Sequence, residues 1–217
     1  MTITFGLVTE GRTDQAVIRA ILAGYFGDDN IRVTSLNPSD KNKLGGWSQV
    51  FQYCNSPDFK DAFESKDYVI IHIDTDISPQ YKIAQIDQDG NSLSPNQLIE
   101  NVKDKFKHLL DPEFYQRYGE RIIFAIAVHS IECWLLPLYC EENEKSAIDS
   151  CFDKLAEAIN KEPEKLKIIK LDKKSKYYQK ISLPYSRNEI LLNHYSLNPS
   201  FKIFIEELQA RNISIND

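Results

Sequence analysis

The six residues from Tyr68 to Ile73, YVIIHI, constrain the fold more than any other stretch of this chain. A strand with one wet face alternates apolar and polar side chains. A nearly continuous apolar run belongs instead to a strand covered on both faces, as in the parallel sheets of α/β proteins. Ile122 to Val128 repeats the pattern, while Ile3 to Val8 and Ile31 to Leu36 read as two earlier strands. Between the strands the periodicity becomes helical. Ala16, Val17, Ala20, Ile21 and Ala23 lie on a helix expected from about Thr13 to Tyr25. Further helices are expected near Trp47 to Cys54, from Ser94 or Pro95 through Leu110, and from about Glu132. Strands alternating with helices give an α/β fold, with a Rossmann-like, mostly parallel sheet flanked by helices.

The chain of 217 residues fits one α/β domain with a modest appendage, and its 42% hydrophobic and 27% charged residues exclude a disordered or fibrous protein. After about Glu141 the pattern changes to a helix from roughly Glu144 to Lys161, a lysine-rich stretch and a helical tail. Residues 1–140 are therefore read as the core and 141–217 as a helix-rich C-terminal extension packed on it. No apolar run approaches the ~20 residues of a membrane-spanning helix. The opening MTITFGLVTEGRTD lacks the basic start and long apolar run of a signal peptide, so a cytoplasmic location is expected.

Cys54, Cys133, Cys140 and Cys151 form no CxxC pair, and no His stands at zinc-finger spacing from any pair, so buried free thiols are expected. The net charge of −6 argues against a broad surface coating nucleic acid. Lys161 to Lys180 nevertheless carries eight Lys against Glu162, Glu164 and Asp172. Such a strip can meet a phosphate backbone locally, and Lys173, Lys174 and Lys176 are candidates for a phosphate contact or a transition-state cation; a solvated face is the plainer reading.

The chemistry concentrates at strand ends. Glu10-Gly11 follows the first strand, Asp74-Thr75-Asp76 the third and Glu132 the fourth, and open α/β sheets bind ligands outside the carboxyl ends of their strands. Carboxylates gathered on one rim repel one another unless a cation neutralises them, and oxygen donors suit Mg²⁺ or Mn²⁺. His72, inside a strand, reads first as a core residue. His129, just past a strand end, is placed evenly between site and structure, and Trp134 and Leu135 read as core. Gly45-Gly46 before a helix is either an anion-binding turn or a flexible loop. A long acidic loop from about Ile77 to Pro95 carries Asp87, Asp89, Gly90 and Asn91.

LVTEGRTDQAVI followed by VIIHIDTD resembles the Toprim domain of topoisomerases, primases and overcoming-lysogenisation-defect nucleases, over roughly residues 1–135. Glu10 and Asp14 are spaced as in the nuclease branch, and VHSIECWLLPL is similar to a segment of small bacterial Toprim-like proteins met near phage-defence genes. The resemblance implies a Mg²⁺- or Mn²⁺-dependent nuclease acting on DNA or RNA. Its metal residues would be Glu10, Asp74 and Asp76, with Asp14 and Glu132 for a second ion; the catalytic set is then Glu10, Asp74 and Asp76, joined by Lys176 from the basic strip. The acidic loop after Asp76 lies outside the Toprim pattern, and no Tyr stands out as a topoisomerase nucleophile. No GxxxxGK[ST] motif occurs, so an ATPase partner would be a separate subunit, and a homodimer is compatible with the pattern. The alternatives are a non-catalytic or partner-dependent Toprim-fold regulatory subunit and a DxD sugar-nucleotide transferase.

Overall fold

The computed structural model describes residues 3–39, 45–161 and 172–214. Its four strands are β1 (Thr4–Val8), β2 (Arg32–Asn37), β3 (Tyr68–Asp74) and β4 (Ile122–Ala127). All pair in parallel, in the order β2-β1-β3-β4. This is the α/β class expected from the apolar runs, with an arrangement compatible with a Rossmann-like fold.

Both faces of the sheet are covered. On one side pack α2 (Trp47–Cys54), α3 (Pro57–Ala62), α4 (Pro95–Leu109) and α5 (Pro112–Tyr118), whose Val50, Phe59, Val102, Phe106 and Phe114 meet Val69, Ile71 and Ile73 of β3. On the other side α1 (Arg12–Phe26) places Val17, Ile18 and Ile21 against Phe5, Leu7 and Ile70. The odd residues of β3 thus face one layer and the even residues the other, as strand alternation requires.

The C-terminal elements join the α1 layer. They are α6 (Leu136–Tyr139), α7 (Cys151–Lys161), α8 (Ser175–Ser182), α9 (Asn188–His194) and α10 (Pro199–Ala210). Leu155, Tyr178, Tyr185, Phe204 and Leu208 belong to the same apolar cluster as Phe5 and Leu7, so the extension and the sheet share one core. Trp134 stacks on Phe201 and Phe204 of α10 and donates from Nε1 to Ser200 Oγ at 2.8 Å, and Leu135 beside it is fully buried. At Gly24 of α1, a Cβ would collide with the carbonyl oxygen of Tyr185. Asn188 Nδ2 closes this contact by donating to the Gly24 carbonyl at 2.8 Å.

Two expectations are corrected. The helix placed from Glu144 starts at Cys151: residues 144–150 run through a turn, an irregular stretch and a bend, and Ser150 takes a left-handed φ of 49° that interrupts a right-handed helix. Cys133 and Cys151 are not free thiols but a disulfide, whereas Cys54 and Cys140 are free and buried. The N-terminal part of the Lys161 to Lys180 strip, residues 162–171, lies outside the described residues, as do residues 40–44 of the loop before Trp47. Among the described residues no helix is long and apolar enough to cross a membrane.

Candidate functional site

The first crossover carries the chain from β1 to β2 on one side, and the next returns it past β1 to β3 on the other. The carboxyl ends of β1 and β3 therefore diverge into a crevice, the switch point where such sheets bind ligands. Glu10 and Asp74 stand on its two lips. The backbone N–H of Asp74 donates to Glu10 Oε1 at 2.8 Å, which joins the two strand ends through a side chain.

The backbone beneath Glu10 is fixed by Gly45 and Gly46. Gly46 donates its N–H to the Glu10 carbonyl at 2.8 Å, and a Cβ on Gly45 would strike that same oxygen. The glycine pair packs against the Glu10 turn, and the Gly46 N–H is spent on protein rather than on an anion. One turn into α1, Asp14 accepts from the Gly11 N–H at 2.7 Å and from Thr13 Oγ1 at 3.0 Å, which turns its carboxylate inward at the helix start. On β3, His72 and Asp74 lie two residues apart and share the α1 side. His72 is fully buried, with Nδ1 3.7 Å from Asp14 and Nε2 3.5 Å from Asp74. Among the described residues neither ring nitrogen has a hydrogen-bond partner, nor has Asp74 Oδ1.

The next two groups come from farther along the chain. Glu132, 1% exposed, sits in the short turn after β4, accepts the Tyr178 hydroxyl from α8, and lies 3.7 Å from Lys173 Nζ; its Oε2 has no hydrogen-bond partner among the described residues. The Asp74-Thr75-Asp76 turn is locked to β4. Thr75 and Asp76 donate their N–H groups to the His129 carbonyl at 3.0 and 2.9 Å, and the His129 N–H returns a bond to Thr75 Oγ1 at 2.9 Å. Asp76 itself is exposed at the rim, its Oδ1 accepting the Ile77 N–H.

The electrostatics follow from this crowding. Burial, then the Asp14 and Asp76 charges, push the Glu10 carboxyl from 4.5 up to about 7. Burial, then the Glu132 charge, push Asp14 from 3.8 up to about 6. Asp74 rises as well, through burial and then Asp14, Glu10, Glu132 and Asp76. His72 moves the other way, to about 3, because burial disfavours the imidazolium, so it is neutral at physiological pH and offsets none of the acidic charge. Lys173 is pulled down by burial but more strongly upward by Glu132, Asp74, Asp14 and Asp76, and stays an ammonium.

Glu10, Asp14, Asp74, Asp76 and Glu132 are thus brought to one crevice. Lys176 is exposed, with its ammonium 4.9 Å from the Tyr177 ring, and Lys174 pairs with Asp172; of these lysines it is Lys173 that faces the acids. The acidic loop ties itself. Asp87 accepts from the backbones of Asp89 and Asn91, while Gln85 donates to the Thr75 and Asp76 carbonyls. His72 and Tyr178 were not legible as site residues, although the period-two spacing of His72 and Asp74 was there to be read. The crevice gathers carboxylate oxygens of the kind a hard cation takes, but among the described residues no three of these acids and His72 bring ligand atoms within 4.8 Å of one another, so they do not close a coordination shell.

Comparison with protein families, with curated proteins and with solved structures finds no match to this chain.

Proposed function

We propose that this protein is a divalent-metal-dependent phosphodiesterase of Toprim type, hydrolysing the backbone of DNA or RNA in the cytoplasm. The observation that carries the proposal is the approach of Asp14 and Asp74 to a neutral His72 that has no hydrogen-bond partner among the described residues, with Glu10 joined to the Asp74 backbone, at the switch point of the sheet. A crevice for sugar-nucleotide transfer would also use the Asp74-Thr75-Asp76 turn, but the coupling of that turn to Glu10 favours the nuclease reading.

Glu10, Asp74 and Asp76 would hold Mg²⁺ or Mn²⁺, with Asp14 and Glu132 available to a second ion. Such an ion supplies an activated water and neutralises charge on the phosphate. The protein's own part is positioning. Gly11 and Thr13 aim Asp14, Asp74 aims Glu10, and Tyr178 aims Glu132. Glu10 and Asp14, with carboxyls near 7 and 6, release protons as a cation binds. Lys173 places a fixed positive charge beside the crevice, where an incoming phosphate needs it.

The test is a substrate panel of supercoiled plasmid, linear duplex, single-stranded DNA and RNA, each with Mg²⁺, Mn²⁺ or chelator. Strand scission that needs the cation is expected on at least one substrate. Failure on every substrate, with the cation shown to bind, would point to the partner-dependent reading instead.

A further inference from the structure

The disulfide Cys133–Cys151 lies beside the His129 ring. The two sulfurs and an imidazole nitrogen all fall within 4.8 Å of one another. We propose that these three side chains form a second metal site, for a thiophilic cation such as Zn²⁺, which exists when the disulfide is reduced and is lost when it forms.

The donor set is the first reason. Two thiolates and an imidazole suit Zn²⁺, whereas the carboxylates of the crevice suit Mg²⁺ or Mn²⁺, so the two sites select different ions. Placement is the second. Each ligand is held by contacts besides the S–S bond. His129 is held in a left-handed conformation, φ 66°, by its N–H on Thr75 Oγ1 and its carbonyl on the N–H groups of Thr75 and Asp76. Cys133 is set in the turn after β4 by its N–H on the Ser130 carbonyl, and Cys151 opens α7. Once the bond opens, the thiolates need only reach the ~3.8 Å spacing that two sulfurs take around one zinc.

Exposure is the third reason. Both cysteines are fully buried while His129 is half-buried, so the imidazole is the ligand nearest solvent, from which water can complete a tetrahedron. Disulfides in the cytoplasm are usually transient or redox-sensing, which makes the reduced state one the chain would occupy there.

The chemistry balances with a dithiol as reductant. Its two thiols become a disulfide, and the two electrons and two protons convert the Cys133–Cys151 bond into two thiols. Binding of the cation then releases those two protons to solvent. Oxidation by a disulfide reagent runs the exchange backwards and expels the cation.

The test uses the full chain with Cys54→Ser and Cys140→Ser, so that the remaining thiols are Cys133 and Cys151. After reduction with a phosphine and removal of the reductant, titration with Co²⁺ should give one equivalent of a near-ultraviolet thiolate-to-cobalt absorption, abolished by Zn²⁺. The same protein left oxidised should show none; Co²⁺ held by oxygen ligands in the acidic crevice gives no thiolate band, so the two sites are read separately. His129→Asn, which tolerates the left-handed backbone, should weaken the titration at least tenfold, and Cys151→Ser should change its stoichiometry and colour. A reduced protein without the band, or His129→Asn with unchanged affinity, would overturn the proposal, and neither readout depends on whether Cys151→Ser folds.

Discussion

The Asp74 N–H and Glu10 Oε1, 2.8 Å apart, join two strand ends that are 64 residues apart in sequence. The bond holds Glu10 over the crevice even though burial and neighbouring acids oppose its charge. A carboxylate kept there at such a cost makes stability depend on pH in a definite sense.

Glu10 has a folded-state pKa of about 7 against an ordinary 4.5, so its favourable contribution is present below 4.5 and is lost as the pH rises through 7. Glu10→Gln keeps an oxygen for the Asp74 N–H but has no proton to lose. Denaturant titrations in chelator should find the variant close to the wild type near pH 4.5. At pH 8 it should be more stable by on the order of 2 kcal/mol, a shift of one pKa unit being about 1.4 kcal/mol and the total discounted for partial exposure. His72 shifts in the opposite direction but is common to both proteins. A difference independent of pH would contradict the assignment.

Asp74 Oδ1 has no hydrogen-bond partner among the described residues, so Asp74→Asn removes charge without removing a bond from that oxygen. Its melting temperature in chelator should equal or exceed that of the wild type, while Mn²⁺ should stabilise it far less than it stabilises the wild type. A large fall in melting temperature would mark Asp74 as a structural acceptor instead.

Lys173 and Lys176 separate by environment rather than by sequence. Lys173→Met should lower kcat/KM at least about tenfold and flatten the salt dependence of nucleic-acid binding by about 0.7 to 0.9 in log–log slope, whereas Lys176→Met should stay near wild type. Equal effects of the two substitutions would return both lysines to a general basic surface.

Gly24→Ala tests the packing of the extension against α1. The added methyl meets the Tyr185 carbonyl, so a loss of about 2–3 kcal/mol is expected by chemical denaturation. A neutral result would mean that the two segments separate without consequence for the core.

The strands and the acids at their ends were legible because an apolar run buried on both faces leaves a direct trace, and because the residues that follow it must lie at the carboxyl rim. The short helices α3 and α5 were missed, although Ser56-Pro57 and Asp111-Pro112 carry the N-cap and first-turn proline that start them. The Cys133–Cys151 bond could not be read: the partners are 18 residues apart, and their meeting depends on how α7 docks beneath the turn after β4. The choice of Lys173 over Lys176 was equally hidden, because it depends on Tyr178 anchoring α8 to Glu132, a contact across 46 residues. His72 reads as core because burial dominates its surroundings; only the approach of its two nitrogens to Asp14 and Asp74, at 3.7 and 3.5 Å, sets it beside the acids.

The central claim is tested most directly by the rate of phosphodiester cleavage as Mn²⁺ is raised from zero, measured on one nucleic-acid substrate for the wild type and Asp74→Asn purified side by side. The account predicts saturable, cation-dependent scission by the wild type and a loss of at least a hundredfold in the variant at every Mn²⁺ concentration, with the fold intact by circular dichroism. Equal rates in the two proteins would contradict it, because the cleavage would then come from somewhere other than the crevice between β1 and β3.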